Sequence, residues 1–121
     1  MEIVFRTTAL QKICSIGKEA VRTYGPKNGG KLMQRLNELK SFECLADVPK
    51  YPPARCHQLE GNRKGQFSVD LEHPCRLIFT PNHNPLPTLA DGGIKLQKVT
   101  KIKIIEIVDT HDGKSKKKRG R

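Results

Sequence analysis

Two histidines, an arginine and an aspartate provide groups from which the chain could build an acid–base site. His57 lies at the entry to a predicted β-hairpin, Arg76 on its returning strand, and Asp109 and His111 at the end of the last predicted strand. Histidine and carboxylate side chains exchange protons, and an arginine binds a phosphate through two parallel hydrogen bonds. Together they suit cleavage of a phosphodiester by attack of the neighbouring ribose 2′-hydroxyl. This chemistry requires no metal ion.

Each of these residues also has an ordinary role open to it. A single histidine is usually a surface residue or one whose hydrogen bonds are satisfied by its neighbours. Arg76 can form a salt bridge with Asp70 or Glu72, and Asp109 can cap the end of a strand. Residue types and spacing alone favour these ordinary roles over catalysis.

A second cluster combines cysteine and histidine, the side chains that zinc prefers. Its members, Cys56, His57, His73 and Cys75, have neither C-x-x-C nor H-x-x-x-H spacing. Adjacent residues of a strand point to opposite faces, which separates Cys56 from His57. Cys75 falls on the apolar face of its strand, where a cysteine behaves as a small hydrophobic residue. The sequence therefore predicts no metal site, and no cofactor is expected.

Cations near the hairpin and on the last strand are candidates for contact with nucleic acid. The turn 61–65 combines two cations with backbone N–H groups, which suits contact with a phosphate, although a solvated turn is an equal alternative. Aromatic residues are few and no RNP-like motif is present, so binding by base stacking is not predicted. The predicted nucleic-acid contacts are Arg55, Arg63, Lys64, Lys101 and Lys103.

The net charge of +11 is shared between a basic tail and the rest of the chain. We expect residues 1–113 to form a single domain and residues 114–121 to be a disordered, solubilising tail. Subtracting the six tail cations leaves +5, and a basic body favours an anionic partner such as RNA, DNA or an acidic protein. The six are Lys114, Lys116, Lys117, Lys118, Arg119 and Arg121.

Hydropathy gives no indication of a membrane segment. No window approaches the roughly 18 consecutive apolar residues of a membrane span. The first residues lack the basic region and apolar run of a signal peptide. We therefore expect a cytoplasmic protein with no membrane partner, whose four cysteines are reduced.

The predicted hairpin that carries His57 and Arg76 has the clearest alternation in the chain. Phe67, Val69 and Leu71 alternate with Gln66, Ser68 and Asp70, a pattern typical of a half-buried strand. His73-Pro74 turns the chain, and residues 75–79 form the returning strand. A further short strand is predicted over residues 55–59.

Two helices are predicted before this hairpin. Glu2 to Arg6 reads as a strand, after which Thr7 or Thr8 can cap a helix that Gly17 can interrupt and that ends at Gly25-Pro26. A loose segment follows over residues 27–30. A second helix then carries an apolar stripe, with Arg35 on its polar face. The helices are expected to form an antiparallel pair. The stripe consists of Leu32, Leu36, Leu39 and Phe42.

The chain closes with a long excursion and a final strand. Residues 80–97 are too rich in proline for a helix, and their length indicates a mobile or a functional loop. Residues 98–109 form the last strand, whose nearly continuous apolar end from Ile104 to Val108 predicts cover on both faces. The sequence therefore predicts an α+β fold, in which an N-terminal strand and an antiparallel helix pair pack on a mainly antiparallel sheet of four or five strands.

The hairpin contains the run H-Q-L-E-G-N-R-K-G-Q-F-S-V-D-L followed by C-R-L-I-F, and I-V-D-T-H comes later. This pattern resembles the RelE/ParE toxin superfamily, and most closely its HigB or "killer protein" branch. The pattern of that branch is approximately His-x-Leu-Lys-Gly-Asp-Arg-x-Gly-x-aromatic-Ser, then Trp-Arg-Ile-x-Phe, then Asp-Tyr-His. The match is close over residues 56–79 and 107–111, whereas the N-terminal strand and helices agree in outline.

The resemblance implies the toxin of a type II toxin–antitoxin system that cleaves mRNA in the ribosomal A site. Its partners would be the ribosome, mRNA and a cognate antitoxin protein. Carried over by position, His57 matches the hairpin histidine of the family, Arg76 its phosphate-stabilising arginine, and Asp109 and His111 its C-terminal acid and histidine. An alternative is a ParE-like inhibitor that binds DNA gyrase, and another is a catalytically weakened binding module.

Two positions depart from the pattern of the family. Glu60 stands where a lysine is usual, which replaces a cation that would hold the RNA backbone with an anion. Thr110 stands where a tyrosine is frequent, which removes a stacking ring or proton donor. Both residues are candidate catalytic or substrate contacts by their positions in the motif.

Overall fold

The first and last strands lie side by side, although almost the whole chain separates them. A computed structural model describes residues 1–109, apart from the side chain of Asp109. The first strand pairs in parallel with the last, and all other neighbours are antiparallel. The strands are β1 (Glu2–Phe5), β2 (His57–Gln58), β3 (Phe67–Asp70), β4 (Cys75–Pro81) and β5 (Lys101–Asp109), in the spatial order β1-β5-β4-β3-β2. The α+β fold with a mainly antiparallel sheet is thus confirmed.

The helices begin at a threonine cap. Thr7 Oγ1 accepts the backbone N–H of Leu10 at 3.0 Å, at the start of α1 (Thr8–Ser15). The chain leaves the helical conformation at Ile16, next to the glycine that the sequence marks as a possible break. It then enters α2 (Gly17–Ser41), in which Gly25 has a non-helical φ of 89° and bends the chain sharply. In the part of the chain that the structure describes, no helix is long and apolar enough to cross a membrane.

Residues 27–30 are helical, so the prediction of a loose segment there is wrong. Pro26 follows the bend at Gly25, in the first turn of the next helical segment, where its missing N–H costs nothing. Asn28 then fixes this part of the helix to the turn between β3 and β4, because its Oδ1 accepts the backbone N–H of Glu72 at 2.9 Å. Two glycines that suggested a loop are therefore part of a helix that is held by contacts elsewhere in the fold.

We expect Gly29→Ala and Gly30→Ala to change stability in opposite directions. A Cβ on Gly29 would lie 2.7 Å from backbone atoms of Val21, so one helical segment would have to move away from the other. Such overpacking costs about 1–3 kcal/mol. A Cβ on Gly30 meets nothing within 4 Å, and alanine should stabilise the helix there by about 0.5–1 kcal/mol. Urea unfolding of both variants measures the difference, and equal effects would contradict this close helix contact.

The core lies between the helices and one face of the sheet. Leu10, Leu32, Leu36 and Leu39 from the helices are buried against strand residues. The strand residues include Phe67, Val69, Leu77, Phe79, Ile102 and Ile104, and the rings of Phe67 and Phe79 stack with centroids 5.9 Å apart. Removing this apolar surface from water is the main contribution to stability.

A β-bulge in β5 divides its residues between the two faces. Phe79 pairs with Ile104 but Ile78 pairs with Glu106, so Ile105 is an extra residue. The predicted central position is confirmed, since β5 lies between β1 and β4, and Val108 on the face away from the helices is only 5% exposed. The bulge accounts for the two consecutive apolar residues Ile104 and Ile105. It places Glu106 on the face that lies away from the helices and Ile107 on the core side.

Arg35 is buried, although its position on the helix predicts a polar surface residue. Its side chain is 2% exposed. Its Nε donates to the carbonyl oxygen of Asp70 at 2.7 Å and its Nη2 to that of Pro53 at 3.2 Å. Nη1 also lies 3.4 Å from the carboxylate of Glu38. The residue thus ties α2 to the end of β3 and to the proline-rich segment.

The proline-rich excursion between β4 and β5 is a small hairpin that is fastened to the core. Thr88 and Ile94 form an isolated bridge, and the backbone N–H of Leu89 donates to the carbonyl of Gly93 at 2.7 Å. Ile94 and Leu96 pack against the core. The excursion lies outside the pairing of Arg76 with β5 and therefore does not interrupt that part of the sheet.

Candidate active site on the open face of the sheet

The face of the sheet that lies away from the helices, here called the open face, carries the predicted hairpin histidine and arginine. The register forms two neighbouring rows on this face. One row contains His57, Ser68, Ile78 and Glu106, and the other contains Asp70, Arg76 and Val108. Residues in adjacent rows are diagonal neighbours and their long side chains can touch.

His57 and Arg76 are in direct contact. Arg76 Nη1 lies 3.3 Å from His57 Nε2, and the histidine is exposed whereas the arginine is about a quarter exposed. A guanidinium can only donate hydrogen bonds, so Nε2 must be the acceptor. This contact suits the tautomer that carries its proton on Nδ1. The structure brings these two residues together as the sequence predicts.

Ser68 lies behind this pair. Its side chain is fully buried, and its Oγ lies 3.4 Å from His57 Nε2. The strand register sets this contact, because His57 and Ser68 are direct partners in β2 and β3. The buried hydroxyl helps to fix the position of an imidazole whose other side faces solvent.

Asp70 lies between two arginines. Its Oδ2 accepts a hydrogen bond from Arg55 Nε at 2.7 Å, and its Oδ1 lies 3.7 Å from Arg76 Nε. The salt bridge between Arg76 and Asp70, which the sequence offers as an ordinary role for the arginine, is thus a long one. Arg55, a predicted nucleic-acid contact, thus uses its Nε to bind this carboxylate, while its side chain is 46% exposed.

Arg63 reaches from the turn before β3 to the other side of the site. Its Nη2 contacts Glu106 Oε2 at 2.6 Å, and its Nη1 donates to Gln66 Oε1 at 2.8 Å. The turn itself, a 3-10 helix over Gly61–Arg63, uses the backbone N–H groups of Arg63 and Lys64 for internal hydrogen bonds. Lys64 remains exposed at its tip.

The other predicted residues are not gathered at the contact of His57 with Arg76. Lys101 is exposed, and Lys103, half-buried, pairs with Thr80 on the open face. Glu60 is exposed at the start of the 3-10 turn. Asp109 pairs with Cys75 at the end of β5, in a register row that contains neither His57 nor Arg76. Thr110 and His111 lie outside the described residues, as does the predicted tail 114–121.

Sequence reasoning missed three polar residues of this site. The alternation in β3 already places Ser68 and Asp70 on one face. Arg76 is the residue that pairs with Asp70 across the hairpin. Glu106 offered no such signal, because the bulge at Ile105 changes the side to which the following residues point.

The buried cysteines are poor candidates for chemistry. Burial raises the pKa of Cys14 to about 12 and that of Cys56 to about 11, so both remain neutral thiols. Cys56 is buried while His57 is exposed, as expected for neighbours on a strand. Within residues 1–109 no group of three histidine, cysteine or carboxylate side chains is placed to hold a metal ion.

A groove of about 410 Å³ lies on the other side of the sheet, between β1 and the helices. Its wall includes Ile3, Phe5, Met33 and Leu36, all of which belong to or border the core. Of the candidate catalytic residues whose side chains the structure describes, His57 and Arg76, neither lines this groove. Both lie on the open face.

We expect neutral His57 to carry its proton on Nδ1, which long-range ¹H–¹⁵N spectra can detect. The hydrogen bond from Arg76 occupies Nε2 as an acceptor and so fixes this tautomer. Arg76→Ala should remove the preference, whereas Arg22→Ala, which removes an exposed cation from α2, should preserve it. A proton on Nε2 in the unaltered protein would contradict the contact.

No protein-family model matches this chain, and no curated protein matches it.

Proposed function

We propose that this protein is the toxin of a type II toxin–antitoxin system and that it cleaves mRNA in the ribosomal A site. The contact of His57 Nε2 with Arg76 Nη1 at 3.3 Å on the open face carries the proposal. It joins a proton acceptor to a phosphate-binding fork, the two functions that 2′-hydroxyl attack requires. The resemblance of residues 56–79 and 107–111 to the HigB branch supports the same assignment.

The acceptor lone pair at Nε2 favours His57 as the base. It would take the proton of the 2′-hydroxyl, whose oxygen then attacks the adjacent phosphorus. The bond from phosphorus to the 5′-oxygen breaks, and that oxygen receives a proton, which we assign to Asp109 or His111. Arg76 would stabilise the additional negative charge on the phosphate. The products are a 2′,3′-cyclic phosphate and a 5′-hydroxyl.

The charges around this pair are compatible with an RNA substrate. Lys103 lies on the open face, and Lys64 and Lys101 are exposed near its borders. The body of the chain carries +5 before the tail is counted. A basic surface attracts the phosphate backbone at long range and holds it without sequence preference. The proposed cleavage of mRNA would take place in the cytoplasm, where the ribosomes are.

Purified protein added to programmed ribosomes tests the proposal. We expect the message to be cut within the A-site codon and to end in a 2′,3′-cyclic phosphate. His111→Ala should abolish the cut. Intact message in the presence of the unaltered protein would refute the nuclease. Growth arrest on induction, relieved by a cognate antitoxin, would support the system, and inhibition of gyrase supercoiling without RNA cleavage would favour the ParE-like alternative.

A further inference from the structure

We propose that Asp70 is a positioning residue that receives the Nε–H of Arg76 when the Nη groups of that arginine bind the scissile phosphate. The inference rests on the proposed function and goes one step further. It assigns a task to a carboxylate that the family pattern does not include. Only hydrogen bonds are exchanged in this step, and no covalent bond forms or breaks.

The backbone of Asp70 is held on both sides. Its N–H donates to the carbonyl of Ala54 at 2.7 Å, and its own carbonyl accepts from Arg35 Nε at 2.7 Å. Arg35 is almost completely buried, so this second contact is shielded from water. The carboxylate therefore projects from a fixed point on the open face, next to Arg76.

The two oxygens of this carboxylate have different surroundings. Oδ2 is bound by Arg55 Nε at 2.7 Å. Oδ1 is buried and, among the described residues, accepts no hydrogen bond, although Arg76 Nε lies only 3.7 Å away. A buried carboxylate oxygen without a donor is unfavourable, and each such atom in a folded protein calls for an explanation. A movement of Arg76 by less than about 1 Å would bring its Nε within hydrogen-bond distance of Oδ1.

Binding of a phosphate would favour this movement of Arg76. In the structure Arg76 Nη1 contacts His57 Nε2, the atom whose lone pair the proposed base must use. A phosphate would attract both Nη groups, because the planar fork matches its oxygens. As Nη1 leaves the histidine, Nε can approach Oδ1. Asp70 would thus hold the guanidinium on the phosphate and leave His57 available to accept a proton.

Asp70→Asn tests this role, with Glu72→Gln as a control that removes the same charge two residues further along. On programmed ribosomes, we expect Asp70→Asn to lower kcat by about 10–100-fold, since misplacing a catalytic group by 1 Å can cost about 100-fold. KM should change little, because the other cations still hold the message. Glu72→Gln should stay close to the unaltered protein. Unchanged kcat for Asp70→Asn would overturn the proposal.

A spectroscopic measurement separates this inference from the nuclease activity. Inorganic phosphate should shift the Arg76 Nε–H signal of the unaltered protein as it meets Asp70, and Asp70→Asn should lose that shift. Arg55→Ala should act in the opposite direction, because it releases Oδ2 and lets the carboxylate hold Arg76 before phosphate is added. A protein that shows the phosphate shift without cutting RNA would refute the proposed function alone. An Arg76 signal that does not respond to phosphate would refute the role of Asp70.

Discussion

Arg76→Ala is expected to lower the kcat of the proposed mRNA cleavage by about 10²–10³-fold, the usual cost of removing one group that stabilises charge in a transition state. The side chain is one quarter exposed and lies against His57 Nε2, so it can meet a phosphate without rearrangement of the sheet. Its loss should leave the fold unchanged, because its side-chain contacts with the described residues, to His57 and Asp70, lie on the open face. Single-turnover cleavage on programmed ribosomes measures the effect.

The pattern of related variants makes this prediction specific. Arg76→Lys keeps the charge but lacks the planar fork, so its activity should be intermediate. His57→Ala should cost about 10²–10⁴-fold, as expected for the loss of the proposed general base. The double variant should be scarcely worse than the poorer single one, because the two residues act as a unit. Arg22→Ala, which removes an exposed cation remote from the open face, should cleave normally. Near-normal cleavage by Arg76→Ala would contradict the site.

The second large effect is expected on stability. Arg35→Ala should lower the free energy of unfolding by about 3–5 kcal/mol, as for other buried charged groups that lose their partners. It leaves the carbonyls of Pro53 and Asp70 without their donor and opens a cavity beside α2. Because domains of this size are stable by only about 5–15 kcal/mol, the loss would be a large fraction of the total. Urea unfolding followed by circular dichroism measures it.

Two comparisons isolate the cause of that loss. Arg35→Met retains most of the buried volume but no donor, so it should recover part of the packing and still leave the two carbonyls unsatisfied at about 1–3 kcal/mol each. Arg22→Ala, in the same helix but exposed, should change stability by less than about 0.5 kcal/mol. Equal stability of Arg35→Ala and Arg22→Ala would show that the buried hydrogen bonds contribute nothing.

The fold could be predicted where a local pattern decides it. Strict alternation in Phe67–Asp70 and the turn at His73-Pro74 determine a hairpin, and its register brings Asp70 opposite Arg76. Arg35 shows where local pattern fails. Its helical position indicates solvent exposure, yet acceptors from two distant segments surround it. Burial of a charged residue depends on long-range partners that no periodicity reveals.

The candidate site likewise contains residues that the sequence pattern predicts and residues that it does not. His57 and Arg76 were identified by their motif, and their strands place them together on one face. Glu106 was not identified, since the side to which it points depends on the extra residue at Ile105. Asp70 lay on the correct face from the start. Its relation to Arg55, however, depends on a turn in which Arg55 itself has a positive φ of 48°, a conformation that sequence rarely reveals for such a residue.

The parallel pairing of β1 with β5 has a consequence for the synthesis of the protein. Glu2 is synthesised 99 residues before Lys101, its partner, so the pairing of β1 with β5 cannot form until β5 has been made. Until β5 has been made, β4 also lacks one of its two neighbouring strands. Contacts between such distant parts of a chain form late and slowly. The sheet therefore closes only after nearly all of residues 1–109 have been synthesised.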